Sequence, residues 1–468
     1  MQSLKKITKQ PIVTFNTSLL ARFFLLKIVI VFSILVVSPS TWALTRDESK
    51  HLLLRAGFGA QPSLMEQLKV LNALEAINYL LDSFPQYLPP PACVTEPLPS
   101  KKTRKSLSKN ERMLFNKSQR QCAVVLKTWY LNQLIKDEAV LVNQMTLFWQ
   151  NLFTSSLRKV KHAKLIYQQH LSIQSNAIGD FSVLLKQMIN DPALLIYLDN
   201  TRNSKGKPNE NLARELLELF TLGEANYSEA DVLSAARALT GLGVDNNMQK
   251  SKLYKKRHDS STKIIFNNLT INGPNDLIAA ILSQEHTAVY ITRAIWLHFI
   301  SKEDGVKINA LAQSFAIDWD IKRLLREILL SKQFWQDQGL MYKSPVELVI
   351  GNVKLFKGQK IPTKRLLKMT RNLGQDLFDP PNVKGWPKGK AWIDTHKLLL
   401  RNQLTDQFAR TISSNMASMG STYCSTDKLA SLNAVPQMNL KNMQPIKKNK
   451  HCRRLLLALI TGPSWQLK

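Results

Sequence analysis

Apolar residues recur along this chain at the helical spacing of three and four, and almost nowhere at the strand spacing of two. Leu141, Met145, Phe148 and Leu152 succeed one another at steps that place all of them on one helix face. Comparable amphipathic stretches cover 123–153, 162–188, 209–222, 228–240, 275–300, 307–334, 345–357 and 396–411. Start signals agree with the period. Asp191-Pro192 pairs a capping carboxylate with a proline preset for the first turn. Ser344-Pro345-Val346-Glu347 has the layout of a capping box, serine and glutamate three residues apart. The only good hairpin candidate is 263–271 (KIIFNNLTI), with Asn267-Asn268 at its turn. The expected fold class is mainly α, a multi-helix globular array with irregular loops and one small β-hairpin. At 468 residues and 44% hydrophobic content, with 17 Gly and 20 Pro, the chain can bury a large core and is neither fibrous nor globally disordered.

The first 43 residues contain Lys5, Lys6, Lys9, Arg22 and Lys27 and no acid, then an apolar run to Val37 and a small-residue exit at Thr41-Trp42-Ala43. That is the pattern of a secretory signal peptide, with cleavage expected after Ala43. The apolar run is interrupted by Lys27 and is short against the roughly 20 residues of a spanning helix. No later segment reads as a transmembrane span, so a periplasmic or extracellular protein is expected. The whole chain carries 64 Lys+Arg against 34 Asp+Glu, net +30; without the five basic residues of the leader the balance is +25. Export makes a genomic DNA role a poor fit, and turns the charge toward anionic polymers met outside the cytoplasm. In an oxidising compartment Cys93, Cys122, Cys424 and Cys452 are disulfide candidates, local pairing 93–122 and 424–452 being the simplest of three connectivities. They form no CxxC pair, and the sequence shows no metal ligand set.

Three segments depart from the helical pattern. Residues 85–121 are proline-rich and then basic, with eight Lys/Arg and one Glu from 101 to 120, and read as an exposed insertion. Residues 245–263 form a second basic insertion, and 413–468 an irregular basic segment ending in a short helix. The mainly helical domain is thus bounded at 44–412.

Chemistry-bearing residues gather in a few blocks. From Asn209 onward, Glu210, Arg214 and Glu218 fall at i, i+4 and i+8, one face of a helix. Two carboxylates astride an arginine suit either a ligand-holding or acid/base site, or an ion-pair ladder with the same spacing. His258-Asp259 follows the second basic insertion and offers a proton-transfer or metal-binding pair, a weak pattern alone. The loop 373–394 (LGQDLFDPPNVKGWPKGKAWID) brings Asn382, Lys384 and Lys388 together with Trp386 and Trp392, a mixture suited to a sugar or an anionic ligand, or to a loop pinned by its tryptophans. Hydrolase-elbow, zinc-protease, Walker and dinucleotide fingerprints are absent, so no cofactor is legible.

Taken in order, 51–59 (HLLLRAGFG), 145–153 (MTLFWQNLF), 191–200 (DPALLIYLDN), 208–223, 227–241, His258-Asp259, 343–351 (KSPVELVIG), 373–394 and 455–467 resemble the bacterial family known as domain of unknown function 1800. The resemblance implies an exported, mostly helical protein. It also implies an exported partner of the domain of unknown function 1501 family, itself similar to alkaline-phosphatase and sulfatase folds. It implies no established reaction. Relatives carry Phe-Trp-His-x-His-Phe where this chain has Gln150 and Leu152 at the two histidine positions. Any metal or acid/base chemistry of that pair is therefore lost here. The favoured function is an envelope or secreted binding or assembly protein with affinity for anionic polymer or carbohydrate. The alternative is a hydrolase-like enzyme acting on polysaccharide through Glu210, Glu218, Asp259 and Asp379, with Arg214 and His258 as charge partners, which requires two carboxyls ~5–10 Å apart in one cleft.

Overall fold

The computed structural model describes residues 42–136, 139–245, 247, 249–355, 361–419 and 463–468, with the side chains of 355, 409–419, 463 and 464 left aside. Most of the expected leader, and Cys424 and Cys452, lie outside the described residues. The protein is mainly α: 64% helical, with two small antiparallel two-stranded sheets among the described residues. No helix among the described residues is long and apolar enough to cross a membrane.

Local chemistry starts the helices. Thr45 with Glu48, Asn72 with Glu75 and Ser228 with Asp231 form reciprocal capping boxes. Asp180, Asp191, Asp304 and Asp320 accept backbone N–H groups at the starts of their helices. Several stretches that read as one helix are two or three. The 123–153 stretch divides into Lys109–Lys136 and Val140–Leu152. The 307–334 stretch divides at Trp319, whose φ of 56° ends Gly305–Asp318, and again at Ser331. Apolar periodicity carries across such breaks because both pieces bury their faces in the same core. Four further helices, Arg46–Ala56, Pro62–Leu68, Ala73–Leu81 and Thr363–Asn372, precede or follow the stretches singled out from periodicity.

The hairpin lies where the asparagines place it, with Lys263–Ile265 paired to Leu269–Ile271 and Phe266 and Asn267 at positive φ. A second ribbon pairs Leu242–Val244 with Ser251–Leu253, so part of the second basic insertion is ordered strand. The first insertion is also more regular than its composition suggests. Ser100 caps Lys101–Ser106, and Ser108 and Glu111 exchange bonds (Ser108 N–H to Oε2, 2.8 Å; Glu111 N–H to Oγ, 3.3 Å) where Lys109–Lys136 begins. Two capping serines start helices in a segment too polar to show an apolar stripe.

Buried apolar side chains form one cluster running from Leu44 to Phe408. Val140–Leu152 is buried along nearly its whole length, and the Trp149 indole N–H is satisfied at 2.8 Å by the Ala177 carbonyl. This central helix, with Glu285–Phe299 and the start of Pro345–Leu355, supports the 373–394 loop.

Candidate functional site

On the central helix Gln144, Leu147, Phe148 and Asn151 follow at i, i+3, i+4 and i+7 and line one wall of a cavity of about 450 Å³. Leu297 and His298 line a second wall, Ser344 and Glu347 a third, and Trp386, Pro387, Lys388 and Trp392 close it from the loop. The volume lies within the range of small-ligand sites. The loop is clamped to the helix by Asn151, whose Oδ1 accepts the Trp386 backbone N–H. Gly385 makes the clamp possible: its φ is +81°, and a Cβ there would sit 2.2 Å from Asn151 Oδ1. Trp386 and Trp392 are both 4% exposed, so the two aromatic faces belong to the pocket wall and not to the outer surface.

Glu347 carries the electrostatics. Its Oε2 accepts the Ser344 N–H at 2.7 Å, completing the capping box, while Oε1 accepts Gln144 Nε2 at 2.7 Å and the Lys468 ammonium. Burial alone would push the carboxyl up. The Lys468 charge and hydrogen bond, helped by Ser344, prevail and bring it down to about 2. Lys468 reaches the pocket because 466–468 run antiparallel to 341–343, Lys343 N–H bonding Gln466 O at 2.8 Å and Lys468 N–H bonding Met341 O at 2.7 Å. His298 is pushed down to about 3, first by burial and then by the charge of Lys468, so it is a neutral imidazole. Three buried polar atoms of the lining, Gln144 Oε1, His298 Nε2 and Trp386 Nε1, have no hydrogen-bond partner among the described residues.

Beside this pocket lies a void of about 10 Å³ touched by Gln150, Ser155, Gln169, His170 and Trp386. That is room for about one water molecule. Gln150 donates from Nε2 to His170 Nδ1 at 2.7 Å, which leaves the His170 proton on Nε2. Leu152, two residues on, is a core residue.

The remaining residues singled out from sequence lie apart from the cavity lining. Arg214 pairs with Glu210 at 3.1 Å and with Glu229 at 2.7 Å on the protein surface. Glu218 instead accepts the Tyr227 hydroxyl at 2.9 Å. The i, i+8 relation fails because Leu216–Thr221 is a π-helical turn, which shifts every later side chain around the axis. Asn209 Oδ1 accepts the Asn211 N–H at 3.1 Å. Both His258 ring nitrogens face carbonyls, Thr240 O at 2.8 Å and Asn272 O at 3.1 Å. Asp259 takes Ser261 Oγ at 2.6 Å and Arg237 Nε at 2.9 Å, and these bonds hold its carboxyl well below the usual range. Asp379 is bound by Ser156, Arg158 and Lys127. Asn382 caps the Lys384 N–H at 3.0 Å, and the exposed Lys384 ammonium stands 3.7 Å from Glu224. No group of three His, Cys, Asp or Glu among the described residues can hold a metal. Cys93 and Cys122 form a disulfide.

Of the expected ligand residues, the cavity therefore contains Trp386, Lys388 and Trp392. It adds Gln144, His298, Glu347, Gln375 and Lys468, which sequence reasoning passed over as site residues. Glu347 was visible as a capping residue. Gln144, His298 and Lys468 gave no signal, because their polar groups meet only through tertiary contacts.

The profile of the family described as Protein of unknown function (DUF1800) matches residues 51–467, nearly the whole chain. The chain belongs to the DUF1800 family. No curated protein and no solved structure matches it. Within this DUF1800 member the matched region includes every cavity-lining residue except Lys468.

Proposed function

We propose that this DUF1800 protein is an exported saccharide-binding protein that holds part of an acidic polysaccharide in the tryptophan-walled cavity. The observation that carries the reading is a small-ligand-sized cavity with two buried indoles and three unpartnered buried polar atoms in its lining. Gln144 Oε1 accepts, the Trp386 indole N–H donates, and the neutral His298 ring does one or the other. A sugar ring presents hydroxyls that do both, and an apolar face that lies flat on an indole. Exposed Lys388 and Lys390 at the rim offer charge to an acidic sugar. The basic leader supports placing this binding outside the cytoplasm, where acidic polysaccharides are found.

A binding role is favoured over glycoside hydrolysis by the carboxylates. Hydrolysis needs two, one of them held protonated as a general acid. Among the described lining residues Glu347 is the only carboxylate, and Lys468 keeps it ionised. Titration calorimetry with a hexagalacturonate and with its neutral counterpart, the fully methyl-esterified hexagalacturonate, tests the reading. Binding of the acidic probe is expected, reduced about tenfold or more by Trp386→Ala or Trp392→Ala, since one aromatic stack and its buried area are worth at least ~1.4 kcal/mol. Lys388→Gln with Lys390→Gln, both on the rim, should weaken the acidic probe selectively and flatten its salt dependence. No binding of the acidic probe, or binding indifferent to both sets of changes, would reject the cavity as the site.

A further inference from the structure

We propose that the basic arm built from Lys101–Ser106 and the first half of Lys109–Lys136 docks flat on a membrane surface of anionic phospholipid headgroups. The inference is independent of the saccharide reading, since none of these residues lines the cavity.

The arm is charged far beyond its surroundings. Eight Lys/Arg and one acid, Glu111, fall between 101 and 120, and Glu111 is occupied in capping its own helix at Ser108. Two of the cations are held by the body, Lys101 by the Val244 carbonyl at 2.7 Å and Arg104 by His162 Nε2 at 2.8 Å. The other six, Lys102, Lys105, Lys109, Arg112, Lys117 and Arg120, are exposed and have no ion-pair partner among the described residues. A solvated helix face commonly carries such charge. What sets this one apart is its apolar content. Met113 and Leu114 are 61% and 62% exposed, and Val124 and Val125 47% and 48%.

Helical spacing assembles these into one surface. Met113, Lys117, Arg120 and Val124 lie at i, i+4, i+7 and i+11, and Leu114, Ser118, Gln121 and Val125 form the stripe beside them. Cations in the middle and apolar side chains at both ends, with no acid among these eight positions, is the composition of a helix that lies in the headgroup layer. A soluble acidic polymer would complement the cations but offers no apolar layer for Met113 and Leu114. The lipid surface complements both. The base of the arm is fixed, which lowers the ordering cost of docking. Cys122 is bonded to Cys93, and Leu126, Tyr130, Leu131 and Leu134 are fully buried in the body.

Sedimentation of the full chain with phosphatidylcholine vesicles, with and without added phosphatidylglycerol, tests the docking. The chain should prefer the anionic vesicles about tenfold or more, and lose that preference between about 50 and 200 mM salt. A variant carrying Lys105→Gln, Lys109→Gln, Arg112→Gln, Lys117→Gln and Arg120→Gln should lose the preference. Met113→Ser with Leu114→Ser should keep the salt dependence but bind several-fold more weakly. Both variants change exposed side chains, and unaltered helical circular dichroism shows that they fold. Equal sedimentation of wild type and the charge variant would overturn the proposal, as would a charge variant that loses hexagalacturonate binding while its vesicle binding is unchanged. Residues 1–43 are common to all the chains and cancel from the comparison.

Discussion

Asp191 shows how far one residue's environment departs from its sequence role. As the Asp-Pro pattern implies, it caps Pro192–Tyr197, its Oδ1 accepting the Leu194 N–H at 2.8 Å. The same oxygen also accepts Gln169 Nε2 at 2.8 Å, in a position that is 6% exposed. Burial raises its carboxyl to about 7, against the lowering effect of these bonds. The folded-state value thus lies above the ordinary 3.8, so the folded protein binds the extra proton. Stability from this group is full below about pH 4 and is lost as pH rises toward about 7. Asp191→Asn keeps the acceptor and removes the titration. Urea unfolding should show the variant gaining about 2–4 kcal/mol on wild type between about pH 4 and pH 8. Parallel pH profiles would contradict this. Gly385 teaches the converse lesson: its glycine was readable as a loop signal, but the Asn151 side chain that demands it lies on a helix more than two hundred residues earlier.

At the level of elements, caps and periods were legible and interruptions were not. Ser344 and Glu347 meet as their spacing implies, and the asparagine-centred hairpin forms. The π turn at Leu216–Thr221 was invisible, because sequence spacing assumes a constant helical pitch. It separates Glu218 from Arg214 and dissolves the three-residue face read from Glu210 onward. The Lys109–Lys136 helix was hidden in part by its own polarity, and the base of its exposed first half is anchored through Cys122. Closing a loop of 29 residues restricts the unfolded chain, so Cys93→Ala with Cys122→Ala should lower stability by about 2–4 kcal/mol. Differential scanning calorimetry would register this as a lower Tm, and an unchanged Tm would show that the bond contributes nothing.

At the scale of the whole molecule, two buried ion pairs and a buried arginine–amide hydrogen bond join distant parts of the chain. Arg55 meets Asp337 at 2.7 Å, Arg401 meets Gln466 at 3.0 Å, and Lys468 meets Glu347, all of them buried. Glu347→Gln would strand the Lys468 ammonium and should cost about 3–5 kcal/mol, most of it recovered when Lys468→Met is added. Strictly additive losses in a double-mutant cycle would show that the two do not act as a pair. The amino-acid order was enough for the mainly helical class, the family, the basic balance and the caps, because helical period, capping and net charge are properties of neighbouring residues or of composition. It could not say which polar side chains would be buried together. Gln144, His298, Glu347, Trp386 and Lys468 lie on five separated segments, and only their packing gathers them at one cavity, where Lys468 holds Glu347 ionised and burial holds His298 neutral.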